Sequence, residues 1–74
     1  MNKVRRKSLQ SLAEQLEDFK SALEDLQSEE EEYRDGIPEN MQGKHEKAEE
    51  AISNMEDAVS SLDDAISSIE AAME

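Results

Sequence analysis

An all-α fold, an antiparallel two-helix coiled-coil hairpin, follows from three observations on the 74-residue chain. Apolar residues recur at alternating spacings of three and four on both sides of one central break. The break is short and holds Gly36 and Pro38. The two apolar seams also match layer by layer when the chain is folded back about that break.

The first helix is expected over about 4–34. Leu9, Leu12, Leu16, Phe19, Leu23 and Leu26 set the seam, which continues through Glu30, its one polar interruption, to Tyr33. The loop covers about 35–43. Gly36 suits a left-handed residue closing the helix, and Pro38 forbids uninterrupted continuation. Pro38-Glu39-Asn40 can form a single turn before Gly43, where the second helix begins. That helix is expected over about 44–73 and reads as heptads: EEAISNM, EDAVSSL, DDAISSI, then EAAME. Ile52, Val59, Ile66 and Met73 occupy a, and Met55, Leu62 and Ile69 occupy d. A connection this short makes the helices antiparallel neighbours, so residues 1–74 read as one hairpin.

In an antiparallel pair, a residues should meet d residues. Folding about Pro38-Glu39 gives Leu9–Ile69, Leu12–Ile66, Leu16–Leu62, Phe19–Val59, Leu23–Met55 and Leu26–Ile52 as the expected core. Glu30–Ala48 and Tyr33–His45 follow at the loop end. The same register sets Arg5, Arg6 and Lys7 beside Glu70 and Glu74, and the Glu29–Glu32 run beside Lys44 and Lys47. Such exposed pairs specify orientation more than they stabilise.

A chain this short is near the limit for a single core. The absence of Cys removes disulfides and thiolate metal sites as staples. Six layers of two side chains make a thin core. The second helix has a further apolar edge, because Ala51, Ala58, Ala65 and Ala72 all occupy g. Small residues at heptad spacing admit another helix. The expectation is a homodimer forming a four-helix bundle, with Ala51, Ala58, Ala65 and Ala72 as its interface and the second helix packing against its twin. The other option is that this edge docks a partner protein's helix.

Composition excludes several function classes. No apolar run is long enough for a membrane span. The basic start Lys3-Val4-Arg5-Arg6-Lys7 leads into an amphipathic pattern rather than an apolar signal segment, so a bacterial cytoplasm is the expected setting. No enzyme activity, cofactor, metal site or small-molecule substrate is expected. His45 is the only His, and Ser53, Ser60, Ser61, Ser67 and Ser68 have no His–Asp partner set. There is no glycine-rich phosphate loop, EF-hand pattern or Glu-x-x-His pair.

Charge carries the remaining functional signal. Net charge is −12, with all 20 acids beyond residue 8. On the second helix Glu49, Glu50, Glu56, Asp57, Asp63, Asp64 and Glu70 form an acidic stripe with no cation from Ala48 onward. A solvated face normally mixes signs, since opposite pairs at i,i+4 help and like pairs cost a few tenths of a kcal/mol. The stripe reads either as a solubilising coat or as an imitation of a polyanion. Duplex DNA carries about one charge per 1.7 Å. A hairpin about 45 Å long offers about one per 4 Å, and a side-by-side dimer about one per 2 Å. Direct nucleic-acid binding by the basic start is disfavoured, because the acidic body repels phosphate and no aromatic stands nearby for stacking.

The stretch Glu31-Glu32-Tyr33-Arg34-Asp35-Gly36-Ile37-Pro38-Glu39-Asn40-Met41-Gln42, leading into Lys47-Ala48-Glu49-Glu50-Ala51-Ile52, resembles small helical-hairpin proteins carried by phages and mobile elements of gut Firmicutes. The resemblance covers about the central third of the chain. It implies the hairpin fold and a mobile-element setting, and it transfers no functional residues. By size and charge the chain is also similar to the anti-CRISPR inhibitors that phages aim at host nucleases, some of which mimic DNA. The function expected is therefore a non-enzymatic acidic inhibitor occupying the nucleic-acid-binding surface of a host protein. The alternative is a structural coiled-coil oligomerisation or adaptor module with a helical partner, working through its Ala edge or its Tyr33–Gln42 loop.

Overall fold

The computed structural model describes residues 1–74 as two helices, α1 (Lys3–Asp35) and α2 (Gln42–Met73), packed along each other, with no strand. The molecule is a rod 59 Å in its longest dimension and 14 Å by 11 Å across, measured on Cα atoms.

Helix α1 starts at a side-chain cap. Asn2 is extended, and its Oδ1 accepts the Arg5 N–H at 2.7 Å. This satisfies one of the four donors that a helix start leaves without partners. The heptad pattern predicts the start at about residue 4, one residue late, because it takes no account of Asn2, although Asn is among the strongest capping residues.

The end of α1 corrects one expectation. Gly36 is right-handed, with φ −86° and ψ −6°, and no residue in the chain has positive φ. Its N–H is shared between the Glu32 and Tyr33 carbonyls, both at 3.2 Å, and the Ile37 N–H reaches the Arg34 carbonyl. The helix thus tightens through i→i−3 bonds and never needs the left-handed turn that would demand glycine. Pro38, which has no N–H to donate, then redirects the chain. The Met41 N–H closes a turn onto the Pro38 carbonyl at 2.9 Å.

Helix α2 opens at Met41 without a side-chain cap, and Gln42 and Gly43 lie inside it rather than in the loop. The strap at this end comes from His45. Its Nε2 stands 2.8 Å from the Ile37 carbonyl, so this nitrogen carries the proton and donates, a carbonyl being an acceptor only. Ile37 itself is buried, and the loop is held down by one apolar side chain and one ring hydrogen bond.

The core is narrow. Ala13, Ile37, Ala48, Ile52 and Ile66 are the buried residues. Leu9, Leu16, Leu23, Met55, Val59, Leu62 and Ile69 are half-buried beside them. Three residues expected in the core are not there: Leu12 is 49% exposed, Phe19 64% and Leu26 53%. Helix α1 is rotated about its own axis, so Ala13, Lys20 and Gln27 turn toward α2 in their place. Two patterns share Leu9, Leu16 and Leu23 as one column. In one the second column is Leu12, Phe19 and Leu26; in the other it is Ala13, Lys20 and Gln27.

Polar contacts accompany the second pattern. Lys20 Nζ pairs with Asp63 Oδ1 at 2.7 Å, and Gln27 Nε2 reaches Glu56 Oε1 at 3.5 Å. Ala13, on the same column, is small enough to let the helices approach. Both polar contacts lie about five positions off the expected layers that join Leu16 with Leu62 and Leu23 with Met55, an offset of ~7 Å that side chains leaning toward their own helix starts can bridge. The contacts between the helices thus fix which surface of α1 faces α2, and that surface differs from the expected one.

Two substitutions check this account by thermal unfolding followed by helical circular dichroism. Ile66→Ala should cost about 2–5 kcal/mol, as expected for deleting a buried branched side chain, and so remove most of the stability of a core this thin. Gly36→Ala should be neutral or stabilising by about 0.4–1 kcal/mol. An added Cβ would meet only the Glu32 and Tyr33 carbonyls at 3.6 Å, an ordinary contact. A left-handed Gly36 would give the opposite sign.

Candidate interaction surfaces

Every face of the rod follows from the rotation of α1. One long edge is polar and joined, by Lys20–Asp63 and Gln27–Glu56. Gln27 Nε2 also donates to Glu31 on its own helix at 3.2 Å. Because Lys20 and Asp63 meet on this edge, the opposite sides of both helices share the other edge. On α1 that side is the column Leu12, Phe19, Leu26 and Tyr33; on α2 it is Ala51, Ala58, Ala65 and Ala72. Tyr33 is 49% exposed. Ala58 and Ala72 are exposed, and Ala51 and Ala65 are half-buried. Large side chains on one helix and small ones on the other make a continuous apolar face. The Ala edge is legible in the heptads, whereas its larger half is not, because Leu12, Phe19 and Leu26 are expected inside and stand exposed.

The acidic residues Glu49, Glu50, Glu56, Asp57, Asp63, Asp64 and Glu70 are all exposed. They do not form one independent stripe. Asp63 and Glu56 turn to α1 and are engaged there, which leaves Glu49, Glu50, Asp57, Asp64 and Glu70 without an ion pair. Spread over 59 Å, the net charge of −12 amounts to about one charge per 5 Å, sparser than the about 1.7 Å of duplex DNA.

The charge blocks at the rod's ends are likewise unpaired. Arg5, Arg6 and Lys7 make no ion pair with Glu70 or Glu74, and neither does the Glu29–Glu32 run with Lys44 or Lys47. The single ion pair between the helices is Lys20–Asp63, and Arg34 Nε contacts its neighbour Asp35 at 3.2 Å. The expected end pairs are thus not formed within one hairpin.

At the loop end a shallow cleft of about 350 Å³ lies over Tyr33, Ile37, Pro38 and Met41, with Glu32 and Lys44 at its rim. It continues the apolar face past Tyr33. His45, expected beside Tyr33, is instead committed to the Ile37 carbonyl. Nowhere do three His, Asp or Glu side chains converge on a common point, and neither helix is long and apolar enough to cross a membrane.

No protein family, curated protein or solved structure matches the chain.

Lys20 offers a measurable handle on the polar edge. Its ammonium is held above the ordinary value of 10.5, chiefly by the hydrogen bond to Asp63; partial desolvation opposes this, and the charges of Asp63, Glu17 and Glu24 add to it. A cation whose folded-state value is raised stabilises the fold below its unfolded value, and that contribution is lost as pH climbs through the folded one. Thermal stability should therefore fall as pH rises above 10.5. Lys20→Met should flatten that alkaline limb while leaving Leu16 and Leu23 packed.

Proposed function

We propose that the chain is a non-enzymatic helical assembly module whose working surface is the apolar face formed by Leu12, Phe19, Leu26 and Tyr33 on α1 with the Ala51–Ala72 edge of α2. The observation that carries this reading is the exposure of the large residues of α1. Full burial of such a side chain contributes about 1.5–3 kcal/mol. A hairpin of marginal stability that leaves three of them about half outside forgoes a contribution comparable to its whole stability. Their regular spacing argues against scattered surface residues, because single exposed apolar residues need no explanation whereas a contiguous stripe does. Such a stripe is the kind that helix-on-helix recognition uses.

A second reading rests on a different observation: α2 has no cation from Ala48 to Glu74, and Glu49, Glu50, Asp57 and Asp64 are free and exposed. Under it the acidic back of α2 occupies the nucleic-acid-binding groove of another protein as an inhibitor. The low charge density of one rod places this reading behind the first.

The two readings use opposite sides of the molecule. A photo-reactive phenylalanine analogue placed at position 19 or 26, and separately at 57 or 64, would be irradiated in the native cells. Assembly through the apolar face predicts adducts from 19 and 26 that persist at about 1 M salt, since apolar contacts are not screened. Occupation of a nucleic-acid groove predicts adducts from 57 and 64 that fall steeply with salt. Adducts from 57 and 64 alone would overturn the first reading.

A further inference from the structure

We infer that the apolar face is covered by a second copy of this chain, in a dimer whose two loops lie at the same end and whose α1 packs on the partner's α2. This deepens the assembly reading and rests on it.

Two hairpins can stack the same face on itself about a two-fold axis in two ways. An axis along the rod keeps both loops together and sets α1 over the partner's α2. An axis across the rod puts the loops at opposite ends and sets each helix over its own twin. The self-complementarity that a two-fold interface requires separates them.

Shape favours the first arrangement. Counted from the loop, Leu12, Phe19 and Leu26 are expected at the levels of Ile66, Val59 and Ile52. An axis along the rod preserves level, so Leu12 comes over the partner's Ala65, Phe19 over the partner's Ala58 and Leu26 over the partner's Ala51. Each large side chain meets a small one, twice over by symmetry. The crossed arrangement stacks Phe19 on Phe19 and Leu12 on Leu26, and leaves Ala against Ala. One helix pair is then held wide and the other drawn close, which two straight rods cannot both satisfy at the usual 8–10 Å spacing.

Charge favours the same arrangement. The crossed dimer would run α2 along α2, with Glu49, Glu50, Asp57, Asp64 and Glu70 lined up against themselves and no cation past Lys47. With loops together, every neighbouring pair in the bundle is α1 beside α2. Arg5, Arg6 and Lys7 then come level with the partner's Glu70 and Glu74, and Glu29 and Glu32 with the partner's Lys44 and Lys47. These residues are exposed and make no ion pair inside one hairpin, so all are free to act across the interface. The Lys20–Asp63 edge faces away from it.

The area suffices. From Arg5 to Tyr33 the face is about 40 Å long and roughly two helix widths, ~20 Å, across. That is roughly 800 Å² per chain, near the standard size for a stable association.

The absence of Cys makes the arrangement directly readable. Sedimentation equilibrium should give wild-type protein at twice 8.3 kDa. Phe19→Glu, and independently Ala58→Glu, should weaken association about 100-fold or more, as for the centre of an interface, while circular dichroism shows the hairpin still helical. Leu26→Cys mixed with Ala51→Cys should yield a disulfide between chains on mild oxidation, because the geometry of that bond requires neighbouring Cα atoms. Leu26→Cys mixed with Leu12→Cys should not.

The reverse disulfide result would overturn the loops-together dimer in favour of the crossed one. A mass of 8.3 kDa at every concentration would overturn any dimer. In that event adducts from position 19 to another protein in native cells would leave the assembly reading standing, whereas their absence would remove it too.

Discussion

A helix packed against one neighbour can bury one stripe, and α1 carries two. Leu9, Leu16 and Leu23 belong to both, flanked by Leu12, Phe19 and Leu26 on one side and by Ala13, Lys20 and Gln27 on the other. Which flank turns inward decides every later property of the rod. Turning the large residues inward would widen the gap between the helices and take Lys20 away from Asp63. Turning the other flank inward brings Ala13 close to α2, gives Lys20 and Gln27 partners at 2.7 Å and 3.5 Å, and leaves the large residues outside. An exposed ion pair contributes at most about 1 kcal/mol, less than the burial of a single Phe. The inward face is therefore poor economy for an isolated hairpin and good geometry for a bundle, where a second neighbour covers the other flank.

The limits of sequence reading follow from the same ambiguity. The two helices and their break at Gly36-Pro38 were legible because each rests on heptad spacing and chain length, which are one-dimensional. The facing surface of α1 was not. Columns at Leu12 and Ala13 both satisfy spacings of three and four, and their centres differ by about 100° of rotation. Preferring the more apolar column is sound where one partner is available and fails where two are. A signal was present: Lys20 is the only cation between Lys7 and Arg34, and it stands on the column that meets Asp63. Gly36 misled for a local reason, since a helix can end through i→i−3 bonds without leaving the right-handed region. Ile37 was overlooked as an anchor because it belongs to neither heptad, although an apolar residue in a polar loop needs something to pack against.

His45 and Ile37 show how little holds the loop end. Helix α2 begins without a side-chain cap, and one ring hydrogen bond to the Ile37 carbonyl joins its first turn to the loop. The cleft beside them keeps Tyr33 and Met41 partly in solvent. That end is where apolar side chains and charge come together, since Glu32 and Lys44 line the cleft with Tyr33, Ile37, Pro38 and Met41.

Assembly and acidity bear on each other through charge density. One rod presents about one charge per 5 Å, and two rods side by side about one per 2.5 Å, approaching the roughly 1.7 Å spacing of duplex DNA. A dimer built on the apolar face turns Glu50, Asp57 and Asp64 of both copies outward, on opposite flanks of the bundle. Those flanks stand about 20 Å or more apart, well over twice the Debye length of ~8 Å at physiological salt, so doubling the charge costs the assembly little. Any polyanion-like behaviour of this chain would thus be a property of the dimer, and the residues that control it would be Phe19 and Ala58 as much as the acids themselves.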